Sequence, residues 1–456
     1  MREPDSRYRP EGRAQSFRAS LVESTMTTKH LTKRLAGTID EKFAHKICIN
    51  LDRRPDRWKK MQLKFARHGI SSVRRFAALD GDKLNIPANW EHTSGAYGCL
   101  QSHLRVVREA RRLGLPGVLI FEDDVVFDNR FREKFGAYVR QLPPDWDMLY
   151  FGALHKDEPI KLSDNLARIT KANSTYAYAL RNTVFDSFIE LNSRAETVLD
   201  HNSFVLQQKF NCYCFIPHLA WVDTDYSDAQ NRLERHWYLR ESLVLFGPQV
   251  DRLLGDTTIV FAHGGDTRGG RAAENLMFLV HYYSEYFSPH IAIVIVEQGN
   301  RPTVNASALP PSCTYVFLRD EGPFNKERCF NTGISQANPR RKFVILSDSD
   351  IYLETLDLRA NLRMCEQYDG ATGFSKIIDL TGEDTRILRG STITRGINIT
   401  KRALRAGRER HGYCRFFNRE AVRSSSDEAG SLPLVQAMRQ FRVFQSPNLA
   451  LRLKQD

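Results

Sequence analysis

The sequence predicts an α/β protein in which two mostly parallel sheets follow one another along the chain. Three observations lead there. Short apolar strands alternate with helices whose apolar residues recur at helical spacing. One strand in each half runs directly into clustered acids, Glu122-Asp123-Asp124 and Asp348-Ser349-Asp350. At 456 residues the chain is also too long for one ordinary domain.

Residues 1–43 are polar and basic with little periodicity, and are expected to be a flexible tail. From His45 the character changes. Lys46 to Leu51 reads as a buried strand, and Asp52-Arg53-Arg54-Pro55-Asp56-Arg57 leads into a helix with Trp58, Met61 and Phe65 on one face and Gly69 at its end. A second helix is expected over about 100–113, with Leu104, Val107 and Ala110 inward and Gly114 as its stop. Pro116-Gly117 turns the chain into the apolar strand Val118-Leu119-Ile120-Phe121, and Asp147 to Phe151 is a further strand. This first domain spans 44–245, and Phe246-Gly247-Pro248 opens a linker over 246–256.

The pattern restarts in a second domain, 257–456. Strands are expected at Thr258–Ala262, His290–Val296 and Thr314–Leu318, and helices at about 272–287 and 325–337. Lys342 to Leu346 is the strand that meets Asp348 and Asp350.

Composition excludes several classes. With 41% hydrophobic and 11% aromatic residues the chain can bury a core, so disorder throughout is excluded. The longest near-apolar run, His290 to Val296, falls far short of the roughly 20 residues of a spanning helix. The eight cysteines have no zinc-ligand spacing, and Cys212 and Cys214 read as reduced core residues. Met1 to Asp5 opens no apolar segment, so an intracellular, cytoplasmic protein is expected, with the sequons at Asn173, Asn305 and Asn398 unglycosylated. Residues 395–456 hold 13 Lys or Arg against 5 Asp or Glu, which is +8 of the formal +12. Such a bias suits an anionic membrane surface, a phosphate-rich substrate or nucleic acid, and a solvated basic face is the plainer reading. No nucleic-acid motif accompanies it, so no nucleic-acid partner is expected.

The acids carry the chemistry. In open α/β sheets ligands sit at the carboxyl ends of strands. Two carboxylates one residue apart, just past a buried strand, can face one point from a rigid base, as a divalent cation holding a diphosphate requires. Glu122/Asp124 and Asp348/Asp350 both have this form. Acids after strands also serve as turn and cap residues, so the signal comes from the preceding strand and from its recurrence. A haloacid dehalogenase-type phosphatase needs Thr or Val where Tyr352 stands, and a polymerase-type nucleotidyltransferase needs an upstream Gly-Ser helix start that is not evident.

Ile49-Asn50-Leu51-Asp52-Arg53-Arg54-Pro55-Asp56-Arg57, then Gly98-Cys99-Leu100-Gln101-Ser102-His103, then Ile120-Phe121-Glu122-Asp123-Asp124-Val125, resemble the ordered signature of family 25 glycosyltransferases. That family includes lipooligosaccharide glycosyltransferases and procollagen galactosyltransferases. Leu199-Asp200-His201, Pro217 and Tyr226-Ser227-Asp228 resemble its downstream pattern. In the second half, Phe324 to Gly333 followed by Ile345 to Asp350 is similar to GT-A transferases of the family 2 and β4-galactosyltransferase type. Their usual acceptor loop, which carries the base, is replaced after Arg419 by Ser424-Ser425-Ser426-Asp427-Glu428, so this domain is expected to be incomplete.

The resemblance implies two GT-A domains and a metal-dependent, inverting transfer of a hexose, such as galactose, from a UDP-sugar to a saccharide or glycolipid acceptor in surface-glycan synthesis. It implies Mn²⁺ or Mg²⁺ on Glu122 and Asp124, and on Asp348 and Asp350 in the second domain. Asn50, Leu51, Asp52, Arg53, Arg54, Arg57, Ser102, His103 and Asp123 are then nucleotide-binding candidates, with Arg328 and Asn331 in the second half. Arginines can reach phosphates, although Arg57 can equally be part of a solvated helix start. His103 alone reads as a core histidine. Inversion needs a carboxylate base, for which Asp200 is the first candidate and Asp228 the second. Competing readings are a GT-A-fold binding protein without turnover and a basic nucleic-acid-binding protein. Arg402, Arg405, Arg408 and Arg410 share part of a helical face, which suits contact with the inner face of an anionic membrane.

Overall fold

The computed structural model describes residues 37–222, 225–230, 232–234, 236–264, 271–287, 290–390, 413–419, 442–446 and 449–453. The first half supplies β1 (Lys46–Asn50), β2 (Val73–Ala77), β3 (Gly117–Glu122), β4 (Val125–Phe127), β5 (Met148–Tyr150), β6 (Leu154–His155), β7 (Ile160–Lys161), β8 (Leu166–Arg168), β9 (Ala172–Asn173), β10 (Ala177–Arg181), β11 (Cys212–Phe215), β12 (Ala220–Val222), β13 (Asp225–Ser227) and β14 (Arg232–Glu234). Eight of them form one sheet in the order β2-β1-β3-β10-β5-β11-β8-β7. β2, β1 and β3 run parallel, so their carboxyl ends share one edge. β10 enters antiparallel beside β3 and makes the sheet mixed.

Burial explains the continuous apolar runs. Alternate residues of a strand face opposite sides. Ile47, Ile49, Val118 and Ile120 pack on one side with Leu100 and Val107 of a helix over Ser94–Arg112. Cys48, Leu119 and Phe121 pack on the other with Met61 and Phe65 of a helix over Pro55–His68. These helices are α1 (Pro55–His68) and α2 (Ser94–Arg112). Pro55 opens α1, and Gly69 closes it with a φ of 68°, as its position predicts. α2 begins six residues before the expected start because Thr93 caps it, accepting from Ala96 N at 3.0 Å.

The second half supplies β15 (Thr257–Gly264), β16 (Ala292–Gly299), β17 (Cys313–Arg319), β18 (Phe343–Asp348), β19 (Ile351–Tyr352), β20 (Gly370–Thr372), β21 (Lys376–Asp379), β22 (Cys414–Asn418), β23 (Val443–Phe444) and β24 (Leu449–Arg452). Its main sheet has the order β17-β16-β15-β18-β22-β20-β23, with the first four strands parallel. The same parity recurs. Ile259, Phe261, Ile293 and Ile345 face Leu276 and Leu279 of the helix Arg271–Phe287, while Val260, Val294 and Val344 face Cys329 and Phe330 of the helix Lys326–Gln336. The α/β reading with two sheets is the observed architecture. The halves also touch: Trp237 Nε1 donates to Asp357 Oδ1 at 3.1 Å, and Arg359 donates to the Leu245 carbonyl at 3.0 Å.

Two boundaries differ from expectation. The last residues of the expected tail are folded: Thr38 and Glu41 form a capping box on a short helix, Ile39–Lys42, and Ile39 and Phe43 are buried in the core. The expected linker contains the helix Pro248–Gly255, whose Val250, Leu253 and Leu254 join the core of the second sheet. Both segments are short and polar overall, so the few apolar residues that anchor them are a weak signal. The tail before residue 37 and the basic run Arg402–Arg410 lie outside the described residues. Among the described residues no helix is long and apolar enough to cross a membrane.

Candidate active site

A cavity of about 370 Å³ opens at the carboxyl ends of β1 and β3. Asn50, Leu51, Arg53 and Arg57 line it from the end of β1 and the start of α1, and Glu122, Asp123 and Asp124 from the end of β3. Cys99, Ser102 and His103 line it from one face of α2, and Ser227, Asp228 and Ala229 from the turn between β13 and β14. Parallel strands end together, so segments far apart in the sequence meet at one edge.

Asn50 organises the floor. Its Nδ2 donates to Asp123 Oδ2 at 2.6 Å and to the Arg54 carbonyl at 2.9 Å, and its Oδ1 accepts from Arg75 Nε at 2.7 Å. Arg57, buried at the base of α1, donates to Asp123 Oδ1 at 3.0 Å. The interpretation of Arg57 as a solvated helix residue is therefore set aside. Burial still pushes the Asp123 carboxyl upward, against the pull of Arg57 and Asn50. Asp124 is pushed up to about 7, first by burial and then by the charges of Glu122 and Asp123.

These acids fit a divalent cation. Among the described residues, Asp124 Oδ1 is buried with no hydrogen-bond partner. Glu122 and Asp124 line the same cavity on either side of Asp123, whose two oxygens are taken by Asn50 and Arg57, and oxygen donors are what Mn²⁺ or Mg²⁺ takes. Glu122 is held from two sides: Thr175 Oγ1 donates to its Oε1 at 3.3 Å, and His103 Nε2 stands 3.5 Å from the same oxygen. His103 is fully buried, stacked on Tyr178, with its Nδ1 3.0 Å from the Tyr178 hydroxyl.

Asp228 is engaged by the arginines. It pairs with Arg54 at 2.5 Å and Arg53 at 3.1 Å, and lies 3.7 Å from Arg57. Arg53 also pairs with Asp80 at 2.8 Å. Asp200 does not line the cavity; it starts the helix Leu199–Lys209, and its Oδ1 accepts from Ser174 N at 2.9 Å. Ser174 immediately precedes the Thr175 that contacts Glu122. Burial pushes the Asp200 carboxyl up to about 6. Asp52 points away and pairs with Arg75 at 2.7 Å on the exposed side. Ser102 lines the cavity, but its hydroxyl is spent on backbone, accepting from Leu79 N at 2.8 Å and donating to the Gly98 carbonyl at 2.6 Å.

The second half places Asp348 at the end of β18, the position Glu122 holds on β3. Its surroundings differ. Lys326 Nζ lies 2.6 Å from Asp348 Oδ1, and Tyr413 N donates to Oδ2 at 3.0 Å. Asp350 has Arg452 Nε at 3.6 Å, and burial pushes its carboxyl up to about 6. Cations from the chain thus stand beside both acids that the sequence assigns to metal. Arg328 is exposed and paired with Asp320 at 2.6 Å, and Asn331 is exposed, so neither is drawn to Asp348.

Sequence reasoning missed Lys326, Thr175, Cys99 and the 79–82 and 93–95 segments. Cys99 was within reach, since it shares the α2 face of Ser102 and His103 at helical spacing. Thr175 and Asp80 carried no local signal.

A mixed α/β fold with an arginine- and carboxylate-lined cavity at its strand ends has its ligand site where open α/β sheets place theirs. Within it, residues 43–215 match the model for "Glycosyltransferase family 25 (LPS biosynthesis protein)", so the first part of the chain carries a family 25 glycosyltransferase domain. A "Glycosyltransferase 25 family member" of Drosophila pseudoobscura pseudoobscura is 35% identical over 127 residues, which are 24% of this chain and 20% of that protein. "Procollagen galactosyltransferase 2" of Homo sapiens is 30% identical over 156 residues, 29% of this chain and 25% of that protein. "Inactive glycosyltransferase 25 family member 3" of Homo sapiens is 31% identical over 163 residues, 30% and 27% respectively. The chain thus spans about a fifth to a quarter of the length of these relatives. Among solved structures, a glycosyltransferase involved in glycosylation of the major capsid of PBCV-1 is 10% identical and covers 41% of this chain and 95% of its own, with a TM-score of 0.27, too low to carry an argument.

Proposed function

We propose that this chain is a glycosyltransferase that moves a hexose from a UDP-sugar to a saccharide or glycolipid acceptor, and that the cavity between β1 and β3 is its working site. The observation that carries the reading is the meeting of Arg53 and Arg57 with Glu122, Asp123 and Asp124 around that one cavity. Nucleoside diphosphates need both: guanidinium groups for phosphate oxygens, and carboxylates for the accompanying cation. Glu122 and Asp124 would hold Mn²⁺ or Mg²⁺, which would stabilise charge on the departing diphosphate.

The other roles belong to the chain. Asn50 and Arg57 hold Asp123 in place beneath the nucleotide. Arg53 and Arg54 exchange Asp228 for phosphate when the donor arrives. Asp200 is the proposed base: it stands behind the cavity wall, held by Ser174 N and near enough to Glu122 for that charge to act on it, and a carboxyl near 6 can take a proton from an acceptor hydroxyl that reaches past Glu122. Asp228, already bound by guanidinium groups, serves as their counter-ion. Both sheets are read as GT-A domains, 44–245 and 257–456, and the second is proposed to bind acceptor or nucleotide without turnover. The protein is proposed to work in surface-glycan synthesis in the cytoplasm, at the inner face of a membrane.

A second reading, binding without turnover, is favoured by the existing grip of the arginines on Asp228. A screen of sugar nucleotides for UDP release, with Mn²⁺ against EDTA, separates the two. Metal-dependent release from one donor supports transfer. UDP binding without any release, with or without saccharide acceptors, leaves a binding protein.

A further inference from the structure

The sequence shows no zinc-ligand spacing, yet the fold brings three suitable side chains together. His155 ends β6, Cys214 lies in β11, and His218 follows Pro217. All three are buried, and their ligand atoms lie within 4.8 Å of one another. None lines the nucleotide cavity. We propose that His155, Cys214 and His218 bind one zinc ion in a buried site distinct from the metal position at Glu122 and Asp124.

The hydrogen bonding supports this arrangement. His218 Nδ1 lies 2.8 Å from the Leu239 carbonyl, which can only accept, so Nδ1 carries the proton. The Nε2 of His218 is therefore a lone pair, and it faces His155 Nε2 at 3.4 Å. That is long for a hydrogen bond between neutral rings. It is close to the spacing of two nitrogens on a tetrahedral zinc with bonds of about 2.0–2.1 Å. A backbone carbonyl that fixes the distal ring nitrogen is the usual support of a metal-bound histidine.

The approach is built into the backbone. A Cβ on Gly152 would lie 2.1 Å from the Ala220 carbonyl oxygen, 2.7 Å from the Tyr176 hydroxyl and 3.1 Å from His218 Cβ, so only glycine lets this strand end pack so closely on the segment that carries His218. Donor chemistry narrows the ion to a thiophilic one. A thiolate with two imidazoles suits zinc and rejects Mn²⁺ and Mg²⁺, which take oxygen ligands. On binding, Cys214 releases its thiol proton to solvent and the sulfur coordinates as thiolate. Three protein ligands leave the fourth position to a water.

The test uses the full-length chain without an affinity tag, stripped with chelator and reconstituted with zinc or cobalt chloride. The expected result is one zinc per chain by elemental analysis and a thiolate-to-cobalt charge-transfer band in the cobalt form. Zinc content should persist in Asp124→Asn and fall at least tenfold in Cys214→Ala and His218→Ala. The cobalt spectrum of the unaltered protein decides the matter even if those variants fold poorly. Absence of the thiolate band, or zinc retained in folded Cys214→Ala, would overturn the proposal and leave the two rings as packing partners.

Discussion

Asp200 shows how one buried group would couple stability to the proposed activity. Its carboxyl is pushed from the ordinary 3.8 up to about 6, chiefly by burial. Since the folded value lies above the unfolded one, its contribution to stability is present below about pH 4 and is lost as pH rises through about 6. The stake is at most about 3 kcal/mol, less the screening that partial exposure allows. Asp200→Asn should therefore flatten the fall in melting temperature between pH 4 and 7. Activity has the opposite sign, because a base must be ionised, so kcat should rise with pH through about 6 and drop by about 10² to 10⁴ in Asp200→Asn. UDP affinity should be unchanged. A variant with wild-type kcat and the same pH profile removes Asp200 from the mechanism. At this scale the sequence was only half informative. It marked Asn50, Arg57, Glu122 and Asp124 because each lies in an ordered motif at a strand end. It could not show that Asp52 turns to Arg75 on the exposed side, or that Ser102, though it lines the cavity, spends its hydroxyl on Leu79 and Gly98.

The elements that wall the cavity are held by close backbone contacts. The turn carrying Asp228 sits on the first turn of α2, where Thr93 Oγ1 donates to the Ala229 carbonyl at 2.5 Å. A Cβ on Gly95 would stand 2.3 Å from the Asp228 carbonyl oxygen, too close for backbone to tolerate. Gly95→Ala should push this turn outward and draw Asp228 away from Arg53 and Arg54. A shift of that size at a binding wall costs about 10-fold or more in catalytic efficiency. The expected signature is a raised donor KM with a melting temperature near that of the unaltered protein. Unchanged donor KM in a folded Gly95→Ala protein means that the turn is no part of the donor site. Elements were the most legible level of the sequence. α1, the apolar run of β3 and the strand β18 all follow from periodicity with Pro and Gly punctuation. The inserted antiparallel β10 was not legible, because strand order depends on which partner is nearest in space.

Across the whole molecule, two strand-end acid pairs invite comparison. Glu122 and Asp124 line one cavity, with Asp124 Oδ1 unpartnered among the described residues, whereas Asp348 and Asp350 have Lys326 and Arg452 beside them. A resident lysine lowers the need for an ion and competes with it electrostatically. In the full-length chain, Asp124→Asn should remove metal-dependent transfer by at least about 10²-fold, while Asp350→Asn leaves it within about 3-fold by the same reasoning. If the losses are reversed, the second half is the enzyme. The basic end belongs to this scale too, since it holds +8 of the formal +12 within residues 395–456. Cationic side chains gain about 1 kcal/mol each near an anionic bilayer. Sedimentation with anionic liposomes is expected at low salt and should vanish at high salt; no sedimentation at low salt makes the basic end a solvated surface.

By itself the sequence determined the α/β class, the restart of the pattern near residue 257 and the strand ends at which the acids cluster, because each is written in local periodicity and in residues adjacent along the chain. Only the tertiary structure decided which acids face an open cavity and which face a lysine, and that Asp228 meets three arginines from another segment. It alone brought His155, Cys214 and His218 together. The physical reason is the same in each case. Charge pairing, burial and ligand geometry depend on distance in space, and a strand edge joins residues that the sequence keeps far apart.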